Sequence, residues 1–153
     1  MESIFLDPKS FSSRDDYEKQ MIELLQTKSI DLVCLAGFMR ILGKKFIEAF
    51  SGKIINIHPS LLPAFPGLNV QEKALKHGVR FSGCTVHFVN EEVDGGAIIS
   101  QAVVPILDAD DTQSLSDRIL EQEHIIYPEA IRLIIEDRLE FSGRRVARKT
   151  REN

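Results

Sequence analysis

A chain of 153 residues, 43% hydrophobic and 27% charged, has the composition of one ordinary globular domain with enough apolar material for a core. Its formal net charge of −4 and pI near 5.6 argue against a nucleic-acid partner, which normally meets a basic face. No leader pattern and no apolar run of membrane-spanning length occur, and Cys34 and Cys84 sit apart in apolar runs as buried, reduced thiols would; a cytoplasmic chain without membrane contact is expected.

In chain order, residues 2–6 read as a short strand. Ser12 or Ser13 then caps a helix whose Tyr17, Met21, Leu24 and Leu25 recur at helical spacing. Residues 30–36 are a continuous apolar run closed by Gly37, of the kind covered on both faces in a parallel sheet. A short helix over residues 43–50 precedes a strand over 53–57, so strands and helices alternate and predict an α/β domain with a mostly parallel, doubly wound sheet and helices on both faces. A helix over residues 70–77 stops at Gly78, and strands over 84–89 and 97–104 are joined as a hairpin through the enlarged loop Asn90-Glu91-Glu92-Val93-Asp94-Gly95-Gly96. Thr112 caps a long helix carrying Leu115, Ile119, Ile126, Ala130, Leu133 and Ile134, which Pro128 should break or kink. The basic run Arg144, Arg145, Arg148, Lys149 and Arg151 reads as a solvated tail.

The chemistry concentrates at the end of the strand over residues 53–57. Residues two apart on a strand share a face, so Asn56 and His58 emerge together, and Pro59, which has no N–H to donate, ends the ladder there. Ligands of open α/β sheets collect beyond such strand ends. His58, His77, His87 and His124 lie in four different elements and complete no zinc pattern, so no metal is expected. His87 either shares the cleft of His58 or covers the sheet's wet face. Ser60 lacks a nucleophile elbow and reads as a turn residue between prolines. Asp94 before two glycines is by itself a turn former; with Asn56 and His58 it completes a set for acyl transfer to an amine. In that set an amide N–H and an imidazolium face an oxyanion, and the carboxylate favours the charged ring. His58 alone reads equally well as a structural histidine bound to loop carbonyls.

These residues resemble a known family. Asn56-Ile-His-Pro-Ser-Leu-Leu-Pro63 with Pro66-Gly67, then Gly83-Cys-Thr-Val-His-Phe-Val89 with Asp94-Gly-Gly96, are similar to the hallmarks of phosphoribosylglycinamide formyltransferase, as are Leu35-Ala-Gly-Phe-Met-Arg-Ile-Leu42 and Gln122-Glu-His-Ile-Ile-Tyr-Pro128. The resemblance implies a Rossmann-like formyltransferase fold and transfer of a formyl group from 10-formyltetrahydrofolate, a co-substrate, to the amine of glycinamide ribonucleotide in purine synthesis. It places catalysis on Asn56, His58 and Asp94, and folate contacts on Met39, Arg40, Ile41 and Leu42 and on the loop Asn90, Glu91, Glu92, Val93 and Asp94. Pro59 and Glu123 fall on the ribonucleotide side; by itself Glu123 is an ordinary helix glutamate.

The family's opening strand and Gly-rich phosphate-cradling turn have no counterpart after Met1, so residues 1–153 resemble the C-terminal two-thirds of one formyltransferase domain. A shortened gene product or a misassigned start would each account for this, and an exposed sheet edge would invite a homo-oligomer. Formyltetrahydrofolate deformylase, methionyl-tRNA formyltransferase and a folate-binding fragment of little activity are the competing readings.

Overall fold

The computed structural model describes residues 2–149. Six strands form one sheet in the order β1-β2-β3-β4-β6-β5: β1 (Val33–Leu35), β2 (Ile54–His58), β3 (Phe81–Phe88), β4 (Ile98–Pro105), β5 (Leu139–Ser142) and β6 (Arg145–Arg148). Four α-helices, α1 (Arg14–Thr27), α2 (Lys44–Ala49), α3 (Val70–His77) and α4 (Thr112–Ile135), cover it. The α/β class and the two-faced packing are as expected, but the sheet is mixed rather than mostly parallel. β1–β2 and β4–β6 run parallel, whereas β2–β3, β3–β4 and β5–β6 run antiparallel. The reason is local: β3 and β4 are joined by a hairpin, and a hairpin can only reverse the chain.

The two faces of β2 divide the core by strand alternation. Ile55 and Ile57 point to the side where Cys84, Val86 and α4 residues such as Leu115 and Ile119 pack. Ile54 points to the other side, with Leu42, Phe46 and Phe50. Asn56 and His58 follow Ile54 at successive same-face positions, so an apolar floor leads directly into the polar pair.

Three expected elements differ. Residues 2–6 form no strand: Phe5 is 86% exposed, and none of the described strands pairs with them. The strand expected over 30–36 is confined to Val33–Leu35 at the sheet edge, which leaves Cys34 exposed instead of buried; Cys84 is buried as expected. Helix α4 runs unbroken through Pro128, because the buried stripe Leu115, Ile119, Ile126, Ala130 and Leu133 outweighs the roughly 3 kcal/mol that an interior proline costs. Its cap is Asp111, one residue ahead of the expected Thr112: the Asp111 side chain accepts from Ser114 N at 2.8 Å and Ser114 Oγ accepts from Asp111 N at 3.0 Å, a reciprocal capping box.

The basic run is not a solvated tail over its described part. Arg145–Arg148 is a strand paired with Leu139–Ser142 in a hairpin that turns at Gly143, φ 60°. Arg151 lies outside the described residues. Helix α1 is capped by Ser13, whose hydroxyl accepts from Asp16 N at 3.1 Å, in agreement with the expected cap.

Candidate active site

Register assembles the site. Asn56 lies opposite His87, and His58 opposite Thr85, on the antiparallel pair β2–β3. Opposed residues project to the same face, so the four side chains form one patch beyond the Ile54 floor. His87 therefore shares the cleft of His58 instead of covering a wet face, and it is 1% exposed.

The chain leaving β2 folds back beneath this patch. Ser60 Oγ donates to the Ala64 carbonyl at 2.6 Å, Thr85 Oγ1 donates to the Ser60 carbonyl at 2.7 Å, and the Leu62 N–H donates to Thr85 Oγ1 at 3.1 Å. Gln101 Nε2 adds a bond to the Leu62 carbonyl at 2.9 Å. Ser60 is thus a buried turn residue, and the loop it shapes brings the Phe65 carbonyl to within 3.0 Å of His58 Nε2 and the Gly67 N–H to Asp94.

Asp94 arrives from the loop between β3 and β4 in the left-handed region, φ 52°, a conformation that short polar residues tolerate better than most. One of its oxygens, Oδ2, accepts from Gly67 N at 2.8 Å and lies 3.5 Å from His58 Nδ1; the other lies 3.7 Å from His87 Nε2. Both ring nitrogens of His58 consequently face oxygens.

His87 is the more deeply buried of the two histidines. Burial lowers its pKa, against the raising effects of its bond to Phe88 and of Asp94. Its Nδ1 donates to the Phe88 carbonyl at 2.9 Å, so in the neutral ring Nε2 is an acceptor, and Asn56 Nδ2 donates to it at 3.3 Å. The second N–H of the Asn56 amide has no partner among the described residues. His87 thereby fixes which end of that amide points outward, a role that sequence alone could not assign because it depends on the Asn56↔His87 register.

The segment expected to hold folate flanks the same floor. Leu42 is buried in it, while Met39, Arg40 and Ile41 are exposed along its rim, Met39 at 79%. Arg14 secures this segment by donating from Nη2 to the Ile41 carbonyl and from Nε to Glu18 Oε1 at 2.8 Å. Glu18 in turn accepts the Gly43 N–H at 2.9 Å, capping α2 where no local side chain does. A cavity of about 260 Å³ opens between α1 and this segment, lined by Arg14, Tyr17, Phe38 and Arg40 among others. On the opposite rim, Val89 packs against the floor, and Lys44 Nζ lies 3.8 Å from Glu91 Oε1, linking α2 to the loop over residues 90–94. Asn90, Glu92 and Val93 stand exposed on that loop.

Pro59 is half-buried beside His58, and Glu123 on α4 is half-buried, with its pKa raised by burial against the opposing pull of His124 and His58. Glu123 lies within charge-interaction range of His58. No cluster of three or more metal-ligating side chains occurs among the described residues, and no described helix is long and apolar enough to cross a membrane.

The chain is similar to known proteins along most of its length. The family model described as formyl transferase matches residues 3–131. Phosphoribosylglycinamide formyltransferase of Haemophilus influenzae is 48% identical over 138 residues, covering 90% of this chain and 65% of that protein. The Bacillus subtilis protein of the same name is 41% identical over 133 residues, covering 87% of this chain and 68% of its own length. The crystal structure of glycinamide ribonucleotide transformylase 1 from Symbiobacterium toebii matches with a TM-score of 0.92 and 53% identity, covering 95% of this chain and 68% of that one. A formyltetrahydrofolate deformylase from Pseudomonas syringae has the same architecture, TM-score 0.86, at only 29% identity. The chain spans about two thirds of these stand-alone formyltransferases, and 10% of the trifunctional purine biosynthetic protein adenosine-3 of Drosophila melanogaster, to which it is 50% identical over 133 residues. It belongs to the formyl transferase family and, within it, groups with the phosphoribosylglycinamide formyltransferases.

Proposed function

We propose that this chain carries the folate site and the catalytic centre for formyl transfer from 10-formyltetrahydrofolate to the amine of glycinamide ribonucleotide. The observation that carries the reading is the convergence of Asn56, His58 and Asp94 on one face beside an apolar floor. The amine attacks the formyl carbon, and the carbonyl oxygen becomes an oxyanion that receives the outward N–H of Asn56 and the Nδ1–H of the His58 imidazolium, whose Nε2 stays on the Phe65 carbonyl. As the bond from carbon to the folate N10 breaks, His58 supplies the proton that N10 takes up, and the attacking nitrogen loses its proton to Asp94 or to a water that Asp94 orients. Bonds and protons balance without a covalent enzyme intermediate or a metal.

The roles of the rim residues belong to the same reading. Met39, Arg40, Ile41 and Leu42 on one side and Asn90, Glu91, Glu92, Val93 and Asp94 on the other bracket the pterin, whose flat apolar body suits the Leu42–Ile54 floor and whose polar edge suits loop backbone groups. Pro59 and Glu123 face the ribonucleotide. The identity to deformylases is lower than to the ribonucleotide enzymes, which favours an amine over water as acceptor. A cytoplasmic setting, suggested by two free thiols, completes the reading.

Calorimetric titration of the 153-residue chain separates its two halves. A folate analogue should bind with measurable affinity, whereas the ribonucleotide should bind poorly, since the helix-terminus N–H groups that resemblance assigns to its phosphate lie outside this sequence and such charge-assisted bonds are worth roughly 1.5–3 kcal/mol each. Absence of folate binding by the folded chain would overturn the assignment of the cofactor site.

A further inference from the structure

The hairpin β5–β6 closes the far end of the sheet onto the loop that carries Asp94. Because β6 joins β4 in parallel at Ile98↔Arg145, the hairpin's turn lies beside the residues that lead into β4. From that turn Arg144 donates through Nη2 to the Gly95 carbonyl at 2.5 Å, and its Nη1 lies 4.0 Å from Glu92 Oε2. Glu92 is folded back over Gly95, where an added Cβ would meet its carboxyl oxygen at 2.4 Å, so one guanidinium meets a carbonyl and a carboxylate at a single place.

The same hairpin also touches the loop's other end. Phe141 lies against Phe88, the last residue of β3, with ring centroids 5.2 Å apart. The hairpin is anchored on its far side: Arg148 Nη2 donates to Glu129 Oε1 of α4 at 2.7 Å, and Lys149 Nζ donates to Asp137 Oδ2 at 2.6 Å. Within the loop itself the bonds are sparse, namely Glu92 N–H to Asn90 Oδ1 at 3.1 Å and Gly95 N–H to the Glu92 carbonyl at 3.1 Å. A left-handed residue on a loop so lightly tied inside needs support from outside to keep one orientation.

We propose that Arg144 is a positioning residue for Asp94: it locks the Gly95 carbonyl and the Glu92 carboxylate, so that the loop presents Asp94 to His58 and Gly67. The basic run thus acts as a brace, with Arg148 and Lys149 fastening the hairpin and Arg144 fastening the loop. This rests on the reading of Asp94 as the carboxylate partner of His58.

The test compares the 153-residue chain with Arg144→Ala and Arg144→Lys. Amide hydrogen exchange at Gly67, the donor to Asp94, and at Gly95, together with the His58 ring nitrogen resonances across pH, reports on the brace without requiring turnover. In Arg144→Ala, exchange at both amides should rise roughly tenfold, the loss of about one charge-assisted hydrogen bond, and the His58 resonances should shift, while the global unfolding midpoint stays at the wild-type value. Arg144→Lys keeps the charge without the fork and should fall between, and it decides the matter should the alanine variant fail to fold. Where transfer is measurable, kcat should fall more than the folate KM rises. Unchanged exchange at Gly67 and Gly95 would overturn the proposal, as would a global midpoint that falls in step with them. A folded wild-type chain that transfers no formyl group would count against the function proposed above, and the exchange data would still judge the brace.

Discussion

His58 and Asp94 are held as a pair by the backbone around them more than by each other. His58 Nε2 is fixed on the Phe65 carbonyl at 3.0 Å and Asp94 Oδ2 on the Gly67 N–H at 2.8 Å, and the two side chains meet at 3.5 Å as a consequence. The loop over residues 59–67 therefore sets the spacing of imidazole and carboxylate. Preorganisation of this kind is what makes an oxyanion site effective.

The stability of this arrangement should depend on pH through His87. Burial lowers its pKa in the folded protein below the ordinary histidine value of about 6.5. Above that value neither state takes the proton and the folded protein has its full stability; below it the unfolded chain binds the proton more readily, and stability falls as pH drops towards the folded pKa. His87→Gln, which keeps an acceptor for Asn56, should lose less stability than wild type between pH 7.5 and 5.5 in chemical denaturation. Equal losses would show that His87 does not titrate in this way.

Gly96 should tolerate no side chain. A Cβ there would lie 1.7 Å from the Phe88 carbonyl oxygen, a backbone atom that also accepts from the His87 ring and cannot swing aside. Gly96→Ala should cost at least the 1–3 kcal/mol typical of overpacking, by roughly that amount in denaturant unfolding, and should displace Asp94. Gly37→Ala, with φ 62° and nothing within 4 Å, should cost about 1 kcal/mol and leave the loop alone.

The two thiols should differ sharply in reactivity. Cys84 is fully buried and its pKa is pushed up to about 12, first by burial and then by Glu123. Cys34 is exposed on the edge strand beside Tyr127. A chromogenic disulfide reagent should modify one thiol per native chain, assigned to Cys34 by mass, and reach Cys84 only on unfolding. Early labelling of Cys84 would mean that the core around β3 opens far more readily than its packing implies.

How much of this was legible in the sequence depends on range. Period-two alternation put Asn56 and His58 on one face, and Pro59 placed them at a strand end; both statements hold because they are local. Asp94 was tied to the site by the company of Asn56 and His58 and by resemblance, since no local rule distinguishes it from a turn aspartate. His87 was left open because its role follows from a cross-strand register that a single strand does not encode. Glu18 as the cap of α2, across 25 residues, left no signal at all. The hairpin at the C-terminus was hidden by its charge. Leu139, Phe141 and Val146 around Ser142-Gly143 carry the alternation and turn of a hairpin, but five basic residues drew the reading towards a tail. Residues 2–6 erred in the other direction, for an apolar run is a strand only where a partner edge is present to pair with it.

The central claim is that Asn56, His58 and Asp94 act on the transition state of formyl transfer. The most direct measurement is kcat beside folate affinity for Asn56→Ala, His58→Ala and Asp94→Asn, in this chain or in a longer protein carrying it. Each variant should keep folate binding close to wild type while kcat falls, by about a hundredfold or more for the oxyanion donor Asn56, because an interaction made only in the transition state is lost. Near-wild-type turnover in all three, with the proteins folded, would contradict the account.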